Sequence, residues 1–188
     1  MQREKQQSGQ GSSAAAAPAR DLAAVQHRLL TAGTPEQFCS ILSKILRVRQ
    51  DEVALLQLEN NLLRFLFPDE LKTAGSIPLS STSAIAAHTA TTRKVELFNN
   101  FAKIKHASIF ETVRLGNNEE GEQQRPATIQ KLMSAPVLDD EGNVLGVIQI
   151  CRKGFDANSA GLDFTLDDLQ QLELAAQTAG KAGFMRGS

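Results

Sequence analysis

The sequence predicts an antiparallel α+β fold on three observations: a hairpin with an apolar return strand over residues 133–153, amphipathic helices toward both chain ends, and no βαβ alternation. In the hairpin, MSAPVLDDEGNVLGVIQICRK, Pro136 confines Ala135 to extended backbone. Asp139–Asn143 supplies the turn, with Gly142 and Asn143 both able to hold a positive φ. The return strand, Val144–Cys151, is apolar except at Gln149, so it needs cover on both faces and is expected in the middle of a sheet. A period of two sends Val144, Gly146, Ile148 and Ile150 to one face and Leu145, Val147, Gln149 and Cys151 to the other.

The other elements follow from spacing and capping chemistry. Residues 1–17 are polar and then alanine-rich, a composition that cannot offset its ordering entropy and predicts a disordered lead; one domain is expected over 18–183, then a short flexible tail, 184–188. A first helix carries the thin stripe Leu22, Val25, Leu29 and Leu30 and stops by Gly33. Thr34-Pro-Glu-Gln37 is a capping box with proline at the first helical position. The stripe Phe38, Ile41, Leu42, Ile45 and Leu46 behind it predicts a core helix. Strands over 52–58 and 62–67 are joined through Asn60-Asn61, a pair suited to a type I′ reversal. Residues 80–91 predict a short helix with Ser81 or Ser83 at its N-cap, 94–98 a brief strand, 103–115 a helix and 116–125 an exposed mobile loop. Thr165 and Asp168 cap a last helix, Phe164 staples onto Leu169, and Leu166, Leu169, Leu172, Ala176 and Ala179 form its buried stripe.

Composition narrows the function classes. A net charge of −1 over 188 residues gives no general attraction to nucleic acid or anionic lipid. No apolar run is long enough to span a bilayer, and the N-terminus lacks the apolar core of a signal peptide, so a cytoplasmic protein is expected. The two cysteines, Cys39 and Cys151, have no metal-ligand or CxxC spacing and read as reduced, buried packing residues.

The segments 135–138, 140–150, Arg152-Lys153 and Phe164-Thr-Leu-Asp-Asp-Leu169 with the helix after it resemble a GAF domain, the small-molecule sensor module of signalling proteins. The resemblance covers approximately residues 20–183 and is weakest over 61–121. It implies an antiparallel sheet of about six strands, the N- and C-terminal helices on one face, and short helices and loops roofing a pocket on the other. Some GAF domains carry Asn-Lys, a gap, then Phe-x-x-x-Asp-Glu. Lys153, Phe164 and Asp168 fit that pattern and Arg152 and Leu169 depart from it, so the resemblance implies a structural Lys153–Asp168 bridge and does not carry over cyclic-nucleotide binding. GAF proteins that reduce methionine sulfoxide or attach a bilin do so with pocket cysteines, and residues 76–125 contain none.

The candidate ligand-binding residues are Ile85, His88, Leu97, Phe98, Asn100, Phe101, Lys103, Lys105 and Phe110 from the roof, with Gln149 from the central strand. Apolar walls with a few polar groups suit a small organic ligand, and they suit an ordinary filled core equally well. Gln149 contacts a ligand if its face is the pocket face; otherwise it finds an internal partner, the commoner arrangement for a buried amide. Arg93, Lys94, Lys103, Lys105, His106 and Arg114 make the stretch basic; a phosphate or carboxylate ligand would explain them, and a solvated face explains them more simply. Neither His88 nor His106 has metal-ligand spacing around it, and no metal, haem or bilin signature identifies a cofactor.

Together these readings describe a bacterial-type, stand-alone sensory or regulatory domain without catalytic activity. It would bind an unidentified small molecule and signal through a homodimer formed by its terminal helices or through a partner protein, with no nucleic-acid or membrane partner. A ligand-free dimerisation module and a small thiol redox enzyme using Cys39 or Cys151 are the alternatives.

Overall fold

A computed structural model describes residues 21–103 and 127–186. Its elements are α1 (Leu22–Leu30), α2 (Pro35–Leu46), β1 (Val53–Glu59), β2 (Leu62–Phe67), α3 (Asp69–Lys72), β3 (Ser76–Pro78), α4 (Ile85–Thr92), β4 (Glu96–Phe98), β5 (Thr128–Leu138), β6 (Val144–Gly154) and α5 (Leu166–Ala179). Six strands form one antiparallel sheet in the order β3-β2-β1-β6-β5-β4. The apolar return strand, β6, lies between β1 and β5, where its two-faced burial demands it be.

Two apolar layers sandwich the sheet. On one side α1, α2 and α5 pack Leu29, Phe38, Leu42, Leu172 and Ala176 onto Val53, Leu55, Met133, Ala135, Ile148 and Ile150. On the other, the roof residues Ile85, Ala86, Ala87, Ala90 and Phe101 cover Ala54, Leu56, Leu132, Val147 and Cys151. The alanines matter, because a helix faced with small side chains lies close against the strands below it.

Local chemistry explains where most elements begin and end. Asp21 caps α1 by accepting from the Ala23 and Ala24 amides. Thr34 Oγ1 accepts from the Gln37 amide while Gln37 Oε1 accepts from the Gly33 amide, so the predicted box closes around Pro35 and α2 starts there. Asn60 and Asn61 hold φ of 51° and 62°, the pair of left-handed residues a type I′ turn requires. Thr165 and Asp168 form the reciprocal box of α5, as their spacing predicts.

Two short elements are not predicted from sequence: residues 76–78 form a strand, β3, paired to β2, and 69–72 a one-turn helix, both too short to show a period. Four expectations are corrected. The helix predicted over 80–91 begins at Ile85 with Ala84 at its N-cap, and the Ser81 and Ser83 hydroxyls meet each other instead. Leu166 is 80% exposed rather than part of the α5 stripe, because it occupies the first helical position, outside the face closed by Leu172, Ala175, Ala176 and Ala179. Only Gly142, at φ 83°, is left-handed in the β5–β6 turn; Asn143 instead donates its amide and side chain to the Asp139 carboxylate. Finally, a bulge between Val137 and Leu138 leaves Leu145 as the extra residue. Val144 and Leu145 therefore exchange faces, Val144 packing under the roof and Leu145 toward the helices.

The stripe of α1 is partly covered within the chain: Leu29 is 1% exposed and Val25 packs against the same cluster. The helix, mobile-loop and site predictions that fall on 104–126, Lys105 and Phe110 among them, lie outside the described residues.

Candidate functional site

The site grows from one cross-strand row on the roof face. Register pairs Gln149 of β6 with Ser134 of β5, and Ser134 with Glu96 of β4. Gln149 is 4% exposed and Ser134 is fully buried, as is Thr89 on α4 directly above them. Gln149 Nε2 lies 3.4 Å from Ser134 Oγ, Ser134 Oγ 2.7 Å from Thr89 Oγ1, and Thr89 Oγ1 3.3 Å from Glu96 Oε2. His88 Nδ1 reaches the same Glu96 oxygen at 3.1 Å. A continuous polar line thus runs from the middle of the core to a half-exposed histidine. Side chains at Glu96 and His88 are 21% and 55% exposed.

The direction of each bond follows from counting protons. An amide nitrogen only donates, so Ser134 accepts from Gln149; a hydroxyl has one proton, so Thr89 cannot donate to both neighbours. The satisfied arrangement has Ser134 donating to Thr89 and Thr89 donating to the carboxylate of Glu96. Buried hydroxyls in such a line cost free energy when a link is removed. Thr89→Val, which conserves shape and deletes the hydroxyl, is expected to lower stability by about 1–2 kcal/mol. Urea unfolding measures it; an unchanged midpoint would show that Ser134 and Glu96 find other partners.

Apolar residues frame the row. Ile85 and Phe101 are 5% and 2% exposed, and the Phe98 and Phe101 rings meet edge-on at 6.3 Å. Of the predicted site residues, Ile85, Phe98, Phe101 and Gln149 therefore share the roof side, and His88 stands at its rim. Leu97 does not join them; it packs on the helix-side cluster, because alternation along β4 turns it away from Glu96 and Phe98. Asn100 and Lys103 are exposed. Gln149 has the internal partner expected of a buried amide, Ser134.

Sequence reasoning missed Thr89, Ser134 and Asn99. Asn99 closes a two-way link with the Phe164 backbone, donating to its carbonyl at 3.0 Å and accepting from its amide at 2.9 Å. That link joins the end of β4 to the residue before the α5 N-cap. Lys153 is 2% exposed, its ammonium donating to the Asp51 carbonyl and its amide to Glu52 Oε1, while Asp168 accepts from the Thr165 amide and hydroxyl. Arg152, the departure from the Asn-Lys pattern, lies over the Phe164 ring at 4.7 Å, a cation–π contact.

Both thiols are fully buried, and burial pushes each well above the ordinary cysteine range. The thiol, not the nucleophilic thiolate, is the resting form. Iodoacetamide at pH 8 is expected to label neither cysteine in the folded protein and both after urea unfolding, read by intact mass. Rapid native labelling of either would contradict the burial.

The model of the GAF domain family matches residues 23–182. This chain belongs to the GAF domain family. The GAF domain from an Acinetobacter phosphoenolpyruvate-protein phosphotransferase shares its fold at 13% identity and TM-score 0.58, over 87% of this chain and 89% of that one. Residues 122 to 287 of a methyl-accepting chemotaxis protein align at 14% identity and TM-score 0.56, over 83% and 92%. A type II free methionine-R-sulfoxide reductase from Thermoplasma acidophilum aligns at 15% identity and TM-score 0.51, over 85% and 93%. Among curated proteins none matches the sequence. The reductase corrects one expectation: enzymes share this GAF fold, so membership in the family does not support the absence of catalytic activity expected from sequence.

Proposed function

We propose that this GAF domain is a sensory or regulatory module that binds a small molecule at the roof and reports it through its terminal helices. The observation that carries the reading is the line Gln149–Ser134–Thr89–Glu96–His88, a polar track set in apolar surroundings and open at one end. Few, convergent polar groups in an apolar frame are the general form of a small-molecule site. The output route starts at β4: Glu96 lies three residues before Asn99, which grips Phe164 at the start of α5. α5 in turn packs beside α1. A ligand that displaces β4 thereby changes how the terminal helices sit, and a partner protein or a second copy reads that change.

Native mass spectrometry of the full chain purified from cells tests the reading. A retained small molecule, lost on Thr89→Val or Glu96→Gln with folding intact, is the expected result. A chain that carries no adduct, and whose Asn99→Ala variant associates with itself and with partners unchanged, would leave the ligand-free scaffold in its place.

A further inference from the structure

We infer that the ligand carries a cationic hydrogen-bond donor, an ammonium or amidinium, and that the Glu96 carboxylate receives it. The inference rests on the small-molecule reading above and names the chemical class. The proton inventory of the row carries it. Every hydrogen in the line points the same way: from Gln149 to Ser134, from Ser134 to Thr89, from Thr89 to Glu96 Oε2. The carboxylate only accepts, so at 3.1 Å the His88 Nδ1 contact also delivers an N–H to Oε2.

Two donors therefore converge on one oxygen, while the other oxygen, Oε1, accepts nothing among the described residues. That oxygen is not among the buried side-chain atoms left without a partner, so it is open at the rim of the row, where a ligand can reach it. Arg93 and Lys94 stand close by in sequence, yet both are exposed and neither pairs with Glu96 among the described residues. The carboxylate is thus held by its neighbours, and among the described residues no lysine or arginine pairs with it; His88, on Oε2, is the one basic side chain that reaches it. An anionic ligand would meet a like charge and find the row's donors already committed; a ligand with only acceptor groups would find them committed too. A donor bearing positive charge completes Oε1 with a charge-assisted bond, about twice as strong as a neutral one. The basic residues Arg93, Lys94 and Lys103, read most simply as a solvated face, do not alter this: the committed donors of the row favour a cationic ligand over an anionic one.

The probes are n-butylammonium, butyrate and n-butanol, equal in length and different in charge, titrated into the full chain and followed by NMR at the Thr89 and Glu96 amides and the Gln149 side-chain amide. Saturable shifts with butylammonium alone are expected, weakened roughly 10- to 100-fold by Glu96→Gln, the loss that follows from one charged hydrogen bond. Should Glu96→Gln unfold, Glu96→Asp, which keeps the charge and withdraws it, is expected to weaken binding while retaining selectivity for the ammonium. Butyrate or butanol binding equally well at these residues would overturn the charge assignment and leave the small-molecule reading standing. With no shift from any probe, the molecule retained from cells decides: one with an N–H cation supports the assignment, an anion or neutral acceptor overturns it, and no retained molecule overturns both readings.

Discussion

Gly180→Ala is expected to destabilise the domain by about 3 kcal/mol, in a place where helix propensity alone predicts a gain. Gly180 follows α5 with φ −59° and ψ −21°, helical angles that alanine adopts readily, and alanine is favoured over glycine in a helix by about 1 kcal/mol. Contact decides the sign. A Cβ built there lies 1.9 Å from the Leu138 carbonyl oxygen, and because that atom is backbone no side-chain rotation relieves it. The end of α5 must lift from β5, or the end of β5 must bend, and either movement opens the layer containing Ala176, Ala179 and Met185. Chemical unfolding of the two proteins side by side measures the loss. A midpoint that rises would mean that α5 slides along the sheet without resistance.

Glu52→Ala is the second large expected loss, about 3 kcal/mol, for a different reason. Glu52 is 4% exposed and its carboxylate holds two chain segments together: Oε1 accepts from the Lys153 amide at 2.8 Å and the Arg49 guanidinium at 3.0 Å, Oε2 from the Arg49 amide at 2.9 Å. Arg49 is half exposed, so its charge escapes into water when the partner is removed. The Lys153 amide has no such exit, and an unsatisfied buried donor costs roughly 1–3 kcal/mol. The space left by the side chain adds to that. Glu52→Gln keeps an acceptor toward the amide and is expected to lose about half as much. If glutamine and alanine proved equal, the stabilisation would come from the charge rather than from the amide it caps.

How far these features can be read in sequence depends on whether their cause is local. α2 is legible from end to end because Thr34, Pro35 and Gln37 fix its start and five apolar residues at helical spacing fix its face. The Asn60-Asn61 turn is legible for the same reason: two adjacent residues suffice. Glu52 reads only as the first residue of a strand, since its partners are one turn before it and across the sheet. The candidate site is legible in outline through Gln149, the polar residue in an apolar strand, but its partner is not. Counting back from the turn without interruption sets Gln149 opposite Met133. The bulge at Val137–Leu138 shifts the register by one residue and brings Ser134 there instead. Thr89 escapes for a simpler reason, because among Ala86, Ala87 and Ala90 a threonine looks like one more small residue until the helix is laid on the strands.

The margins of the sheet carry a consequence of their own. Among the described residues β3 and β4 form the two margins and are three residues each, β3 ends at Pro78, and the stretch of β5 from Ala135 to Leu138, past one end of β4, contains Pro136. A proline offers no amide to an incoming strand, and three residues are too few to template one. β6, the strand richest in valine and isoleucine, lies inside the sheet between β1 and β5. A cell holding many copies of this chain is thereby protected from sheet-to-sheet polymerisation, the failure to which a valine- and isoleucine-rich strand such as β6 would be prone if it were laid bare.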